Sequence, residues 1–294
     1  MVTNTPTGAA LWLAGARPKT LPAAIVPVAV GTAAVSDEAF ILWRALAAMV
    51  VALALQVATN YANDYSDGIR GTDDDRVGPL RLVGSGAASP EAVKRAIFIS
   101  FGVAGVVGLV LSLAVNPFLL LLGAASIAAG WFYTGGEKPY GYLGLGEVFV
   151  FVFFGLVATI GSAYVQTVAL SGLAAVLSIP VGVFATALLV INNLRDREGD
   201  AAVGKNTLAV RMGDGATRML YVMTMLGAFA LIALTAVITG RFGVLLGLLG
   251  LIVAIPGLRT VRAGATGRDL IPVLEATGRT QLVAGLGLTI GLLF

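Results

Sequence analysis

"ALAAMVVALALQVATNYANDYSDGIRGTDDDR" occupies residues 45–76. The stretch up to Thr59 is almost entirely apolar and reads as the body of a membrane helix. Five aspartates then follow in seventeen residues: Asp64, Asp67, Asp73, Asp74 and Asp75. An oily segment that ends in a cluster of carboxylates needs a reason for the charge.

The composition sets the class. The chain has 294 residues, 57% hydrophobic and 12% charged, with a mean hydropathy of +0.91. Soluble domains carry about 25% charged residues, so half that figure with long apolar runs places the chain in a bilayer. Cysteine and histidine are both absent. That excludes disulfides, thiolate metal sites and the commonest neutral-pH base. A bound metal must be held by oxygen, which favours a hard cation such as Mg²⁺. Proton transfer must use Asp, Glu, Lys, Tyr or water. The start "MVTNTPTGAA" is polar and uncharged, unlike a cleavable signal peptide, so the first hydrophobic helix is expected to be retained.

The hydropathy pattern predicts an all-α polytopic membrane protein with about nine transmembrane helices around a central cavity open to the cytoplasm. The expected spans are 20–36, 42–63, 96–115, 117–134, 145–167, 172–192, 217–239, 243–261 and 280–294. With that map, all the basic residues except Arg44 and Arg241 fall on one side. The positive-inside rule makes that side cytoplasmic. The acids follow, with only Asp37 and Glu38 outside. No linker or low-complexity tract divides the chain, so residues 1–294 read as a single domain.

A second acidic stretch answers the first. "NNLRDREGDAAVGKNT" (192–207) places Asn192, Asp196 and Asp200 at intervals of four. Asn60, Asp64 and Asp67 stand at intervals of four and three. On a helix such spacings stack side chains on one face. Each set is a ladder of oxygen ligands at the cytoplasmic end of a helix, the second and the sixth. Like charges on one face destabilise a helix unless something offsets them, and divalent cations would. Mg²⁺ takes one or two protein carboxylates and completes its shell with water and phosphate oxygens. Two facing ladders therefore suit two Mg²⁺ ions bridging a diphosphate. Lys205 beyond the second ladder, with Arg76 and Arg81 beyond the first, meet the remaining phosphate charge. A membrane site of this kind suggests a lipid-linked diphosphate whose allylic carbon–oxygen bond ionises. An apolar cavity would shield the carbocation and accept an isoprenoid tail, and an electron-rich aromatic ring is the natural acceptor.

These features resemble the UbiA superfamily of intramembrane aromatic prenyltransferases, which carry two Asp-rich motifs after the second and sixth of nine helices. The resembling stretches are "ARPKTLPAAIVPV" (16–28), "NYANDYSDGIRGTDDDRVGPLRLVGSG" (60–86), "WFYTGGEKPYGYLGLGE" (131–147) and "NNLRDREGDAAVGKNTLAVRMGD" (192–214). The tail G-T-D-D-D-R-V-G-P separates the chain from branches whose first motif reads N-D-x-x-D-x-x-x-D. Gly71 stands where that last acid would fall, so Asp67, Asp73 or Asp74 completes the first site. The resemblance implies transfer of a polyprenyl group from polyprenyl diphosphate to 1,4-dihydroxy-2-naphthoate, with loss of diphosphate and CO₂, on the route to menaquinone. It implies Mg²⁺–diphosphate held by Asn60, Asp64 and Asp67 with Asn192, Asp196 and Asp200, and a phosphate contact from Lys205. The implied partners are the two substrates and the lipid bilayer, with no nucleic acid.

The acceptor side has weaker markers. Tyr133, Lys138 and Tyr140 in "YTGGEKPYGY" are expected over the site, with Lys138 pairing the acceptor carboxylate or lowering a phenol pKa. The bland reading is a turn with interfacial tyrosines. Glu147, an acid at the membrane edge, completes the catalytic candidates. Arg17 and Lys19 beside Pro18 either guide anionic substrates inward or serve as topological charges, and helix-end position favours the second. A transporter is the rival from another class, but carriers place ionisable groups near the bilayer midplane, and here the helix centres lack them.

Overall fold

The computed structural model describes residues 6–71 and 80–294. Its regular elements are helices, with no strand among the described residues. α1 (Gly8–Ala16) leads through a 3₁₀ turn (Pro18–Thr20) into α2 (Pro22–Ala33). α3 (Leu42–Ile69), α4 (Pro90–Val115) and α5 (Leu119–Phe132) follow. α6 (Gly146–Val150) runs through a π-helical segment (Phe151–Val157) into α7 (Ala158–Thr167). Then come α8 (Gly172–Ala202), the short α9 (Leu208–Met212) and α10 (Asp214–Thr239). A 3₁₀ segment (Phe242–Leu249) continues into α11 (Gly250–Arg262), and α12 (Ile271–Gly291) ends the bundle.

Six of these units are long and apolar enough to cross a membrane: α3, α4, the α6–α7 unit, α8, α10 and the unit ending in α11. α2 and α5 are apolar but shorter. The outward faces carry exposed large apolar side chains, such as Val106, Leu121, Met223 and Ile252, as a lipid-facing surface requires.

Several boundaries differ from the hydropathy reading. α3 and α8 run past residues 63 and 192 to Ile69 and Ala202, so both ladders lie within helices. Hydropathy stops where charge begins, but the backbone hydrogen bonds of a helix continue through polar residues. α12 begins at Ile271 rather than near residue 280. α1 was not expected; at nine residues it is too short to span. It packs on α3, where the Tyr61 hydroxyl donates to the Trp12 carbonyl at 2.9 Å.

Two buried clusters organise the bundle. The larger joins α2, α8, α10, α11 and α12 around Val30, Phe184, Met225 and Leu288. The smaller joins α1, α3 and α4 with Leu82. Apolar surface gains little from leaving lipid, so close packing carries the association. Gly31 shows this: a Cβ there would lie 2.1 Å from the Thr159 carbonyl oxygen. Gly155 of the π segment is pressed on Gly182 of α8 in the same way, 2.5 Å from its Cα. Ser89 and Ser171 cap α4 and α8 by accepting from Ala92 and Ala174 N–H, each worth about 1 kcal/mol.

Candidate active site

The first ladder is buried on one face of α3. Asn60, Asp64 and Asp67 are 4%, 0% and 2% exposed. Asn60 donates to the Ala16 carbonyl at 2.8 Å and to the Thr20 hydroxyl at 3.1 Å. Both oxygens of Asp64 accept backbone N–H groups, from Leu82 at 2.8 Å and Val83 at 2.9 Å. Asp64 thus anchors the segment that returns to the bundle after the first motif. Each of its oxygens retains a second lone-pair direction. Asp67 is the hub: its Oδ1 accepts from the Tyr142 hydroxyl at 2.7 Å. Its Oδ2 lies 3.5 Å from the Arg81 guanidinium and 3.5 Å from the Lys205 ammonium.

The second ladder comes from α8. Arg195 grips Asp196 through two bonds of 2.7 Å and donates to the Asn192 side chain at 2.9 Å. Beyond the helix end the chain turns back, with Lys205 N–H on the Asp200 carbonyl at 2.8 Å. That turn delivers the Lys205 ammonium 3.7 Å from Asp200 Oδ1. Lys205 therefore ties Asp67 of α3 to Asp200 of α8, and the two motifs meet.

Beneath them lies a cavity of about 510 Å³ between α2, α3, α4, α5, α8 and the α6–α7 unit. Arg17, Gln56, Asn60, Asn63 and Asn192 line its polar end, and the rest is mainly apolar. The ladder carboxylates sit one to two helical turns beyond that polar end. Tyr133 and Tyr140 line the cavity as expected. Their rings meet edge to face at 5.5 Å, and Tyr140 stacks on Phe149 at 3.9 Å. Glu147 is buried and accepts from Asn193 at 2.9 Å, while its Oε2 has no partner among the described residues. Lys138 is exposed and is not among the cavity-lining residues. Asp73, Asp74 and Arg76 lie outside the described residues.

Sequence reasoning missed two participants, Tyr142 and Arg195, and ranked the substrate-side role of Arg17 second. Tyr142 holds Asp67, and its ring lies under both Lys205 (5.0 Å) and Arg70 (5.3 Å). Arg195 was passed over although it stands inside the second motif. Arg17 lines the cavity instead of serving only as a topological charge; its φ of +53° is an unfavourable left-handed value for a side-chain-bearing residue. That strain has no signature in sequence, whereas the Tyr142 position inside "YTGGEKPYGY" did have one.

Burial, above all, pushes the Tyr140 and Tyr142 phenols upward, and the Asp67 carboxylate adds to this at Tyr142. Both remain neutral hydrogen-bond donors at physiological pH.

The donor set tests the expected metal. Asp67, Asp196 and Asp200 offer only oxygen, which suits Mg²⁺. Among the described residues no three acidic groups close on one point, but Asp67 and Asp200 already share a single cation, the Lys205 ammonium. The residues present fit a divalent ion whose shell is completed by substrate oxygens.

An all-helical membrane bundle with two acid ladders at the mouth of an apolar cavity defines a class of intramembrane transferase. The profile of the UbiA prenyltransferase family matches residues 24–269, and the chain belongs to that family. It is 48% identical over 97% of both chains to a protein of Mycobacterium tuberculosis named 1,4-dihydroxy-2-naphthoate octaprenyltransferase. In fold it is similar to an apo UbiA homolog from Aeropyrum pernix K1, with TM-score 0.72, 17% identity and coverage of 90% and 96% of the two chains. It is also similar to a UbiA homolog from Archaeoglobus fulgidus bound to GPP and Mg²⁺, with TM-score 0.70, 13% identity and coverage of 96% and 99%.

Proposed function

We propose that the whole chain is one prenyltransferase domain of a bacterial cytoplasmic membrane. It transfers a polyprenyl group from polyprenyl diphosphate to 1,4-dihydroxy-2-naphthoate, releasing diphosphate and CO₂ and giving demethylmenaquinol. The observation that carries this reading is the convergence of Asp67 and Asp200 on Lys205 above an apolar cavity. The identity to naphthoate prenyltransferases favours this acceptor over 4-hydroxybenzoate. Nine spans are the reading for topology: the six long units with α2, α5 and α12. Arg44, Asp37 and Arg241 then lie at the outer end, where the last two pair at 2.9 Å. The cavity mouth and its basic residues face the cytoplasm.

Asp67, Asp196 and Asp200 would hold the magnesium–diphosphate, with Asp64, Asn60 and Asn192 completing the oxygen set. When bound, the metal would supply positive charge to offset the charge on the diphosphate leaving group. Lys205 and Arg81, now on Asp67, are placed to take phosphate oxygens. The wall of Tyr133, Tyr140 and Phe149 excludes water from the allylic cation and offers it aromatic faces. The two tyrosines also present a flat surface to the acceptor ring.

The test is prenyl transfer in nanodiscs from octaprenyl diphosphate to 1,4-dihydroxy-2-naphthoate, with Mg²⁺ or EDTA, and 4-hydroxybenzoate as control acceptor. Mg²⁺-dependent product from the naphthoate alone is expected. Product from 4-hydroxybenzoate alone, or none from folded protein, would overturn the assignment.

A further inference from the structure

Among the described residues, four side-chain amides line the cavity: Gln56, Asn60, Asn63 and Asn192. Three of their carbonyl oxygens already accept a hydrogen bond. Asn60 Oδ1 takes one from Gln56 at 3.2 Å, Asn63 Oδ1 one from the Thr134 hydroxyl at 2.9 Å, and Asn192 Oδ1 one from Arg195 at 2.9 Å. Gln56 is the exception. Both of its printed bonds leave from Nε2, and no described residue donates to its Oε1. That oxygen is not among the sealed polar atoms of the interior either, so it opens on the cavity that Gln56 lines.

The surrounding bonds fix which way this amide faces. Asn60 Nδ2 donates to the Ala16 carbonyl at 2.8 Å and to the Thr20 hydroxyl at 3.1 Å. A backbone carbonyl can only accept, so the Asn60 amide must turn its Oδ1 toward Gln56. The Thr20 hydroxyl directs its proton to the Arg17 carbonyl at 2.9 Å and offers Gln56 lone pairs alone. Both neighbours need an N–H, and Gln56 Nε2 supplies it, at 3.2 Å to Asn60 and 3.3 Å to Thr20. Gln56 is 7% exposed. Reversing its amide would set oxygen against oxygen twice where water cannot compensate. Oε1 is therefore a preset acceptor, one helical turn below Asn60 on α3 and two turns, about 12 Å, below Asp64.

We propose that Gln56 is a specificity residue for the aromatic acceptor, and that its Oε1 accepts a hydrogen bond from a ring hydroxyl of the dihydroxynaphthoate. The inference rests on the prenyltransferase reading. The prenyl donor offers nothing to match this oxygen, because its diphosphate oxygens accept and its tail is apolar. The aromatic acceptor brings O–H donors into a mainly apolar cavity, where a hydroxyl without a partner is disfavoured. The bond sets the ring with one hydroxyl toward α3, below the diphosphate end of the site. A ring that lacks a hydroxyl at that place leaves the buried amide oxygen unpaired and is rejected.

The experiment measures equilibrium binding to the whole protein in nanodiscs, with Mg²⁺ and geranyl thiolodiphosphate as an unreactive donor. The probes are 1,4-dihydroxy-2-naphthoate, 1-hydroxy-2-naphthoate and 4-hydroxy-2-naphthoate. On wild type, one of the two monohydroxy acids should bind about tenfold or more weaker than the parent. In Gln56→Met the parent should weaken to the level of that acid, while that acid binds as it does to wild type. Equal weakening of all three acids in the variant would mark Gln56 as merely structural and overturn the proposal. So would a wild type that binds all three acids alike, a result that needs no variant. A wild type that binds none of them would overturn the naphthoate reading itself, which separates that failure from a failure of the Gln56 assignment.

Discussion

The Lys205 ammonium stands 3.5 Å from Asp67 and 3.7 Å from Asp200, two carboxylates 133 positions apart on different helices. One flexible side chain thereby holds the ends of α3 and α8 together. An ammonium between two carboxylates occupies the electrostatic position that a divalent ion would take with substrate. Lys205→Ala should destabilise the metal-free protein by about 1–3 kcal/mol through the exposed repulsion of Asp67 and Asp200. Mg²⁺ should then raise the Tm of the variant by more than it raises that of wild type. Thermal melts with and without Mg²⁺ check this, and equal metal shifts would remove Lys205 from the role of internal counter-cation.

Asp64 and Asp67 are neighbours on one face, but their side chains do different things. Asp64 accepts the Leu82 and Val83 N–H groups, one on each oxygen, and Asp67 faces Tyr142, Arg81 and Lys205. Asp64→Asn should lower stability by about 1–3 kcal/mol, because an amide offers one acceptor oxygen to two donors. Hydrogen exchange should quicken at Leu82 and Val83. Asp67→Asn should keep that protection and lose transfer by about 100-fold or more. Equal exchange in the two variants would contradict this division.

Tyr142 gives an alkaline signature. Its phenol ionises near pH 10 in the unfolded chain, and burial with the Asp67 carboxylate raises it in the fold. A raised folded value means the stabilising contribution is complete below about pH 10 and is lost as pH climbs toward the folded value. Tyr142→Phe should therefore flatten the fall of Tm above about pH 10. A slope identical to wild type would argue that the phenol is not held on Asp67.

The π segment depends on two glycines in backbone contact. Gly155→Ala would place a methyl 2.5 Å from the Gly182 Cα, and neither backbone can yield cheaply. The expected cost is about 1–3 kcal/mol. Gly227→Ala in α10 meets no atom within 4 Å, so it should be neutral or slightly stabilising. Paired thermal melts distinguish the two sites.

Much of this protein was legible in its residues because the bilayer enforces simple rules. Apolar runs, basic asymmetry and the 3.6-residue period predicted an all-helical membrane chain and put Asn60, Asp64 and Asp67 on one face, as they are. The absence of histidine and cysteine reduced the metal chemistry to oxygen before any coordinates. Lys205 lies just beyond the second ladder in sequence, and in the fold its ammonium is 3.7 Å from Asp200.

Other features depended on which helices touch. Nothing local says that Tyr142, not Lys138, reaches the acids, because both lie in one Gly-rich connection whose path is set by docking on α5 and α6. Nothing local says that Asp64 is taken up by the Leu82 and Val83 amides, since those bonds join residues 18 and 19 positions apart. Periodicity assigns a side chain to a face of its own helix. What that face meets is decided by close packing between helices, where single glycines such as Gly155 and Gly182 set the approach. That is why the sequence alone determined the class, the acid ladders and the restriction of any metal to oxygen ligands, while the cavity and the pairing of Asp67 with Asp200 through Lys205 came only from tertiary structure.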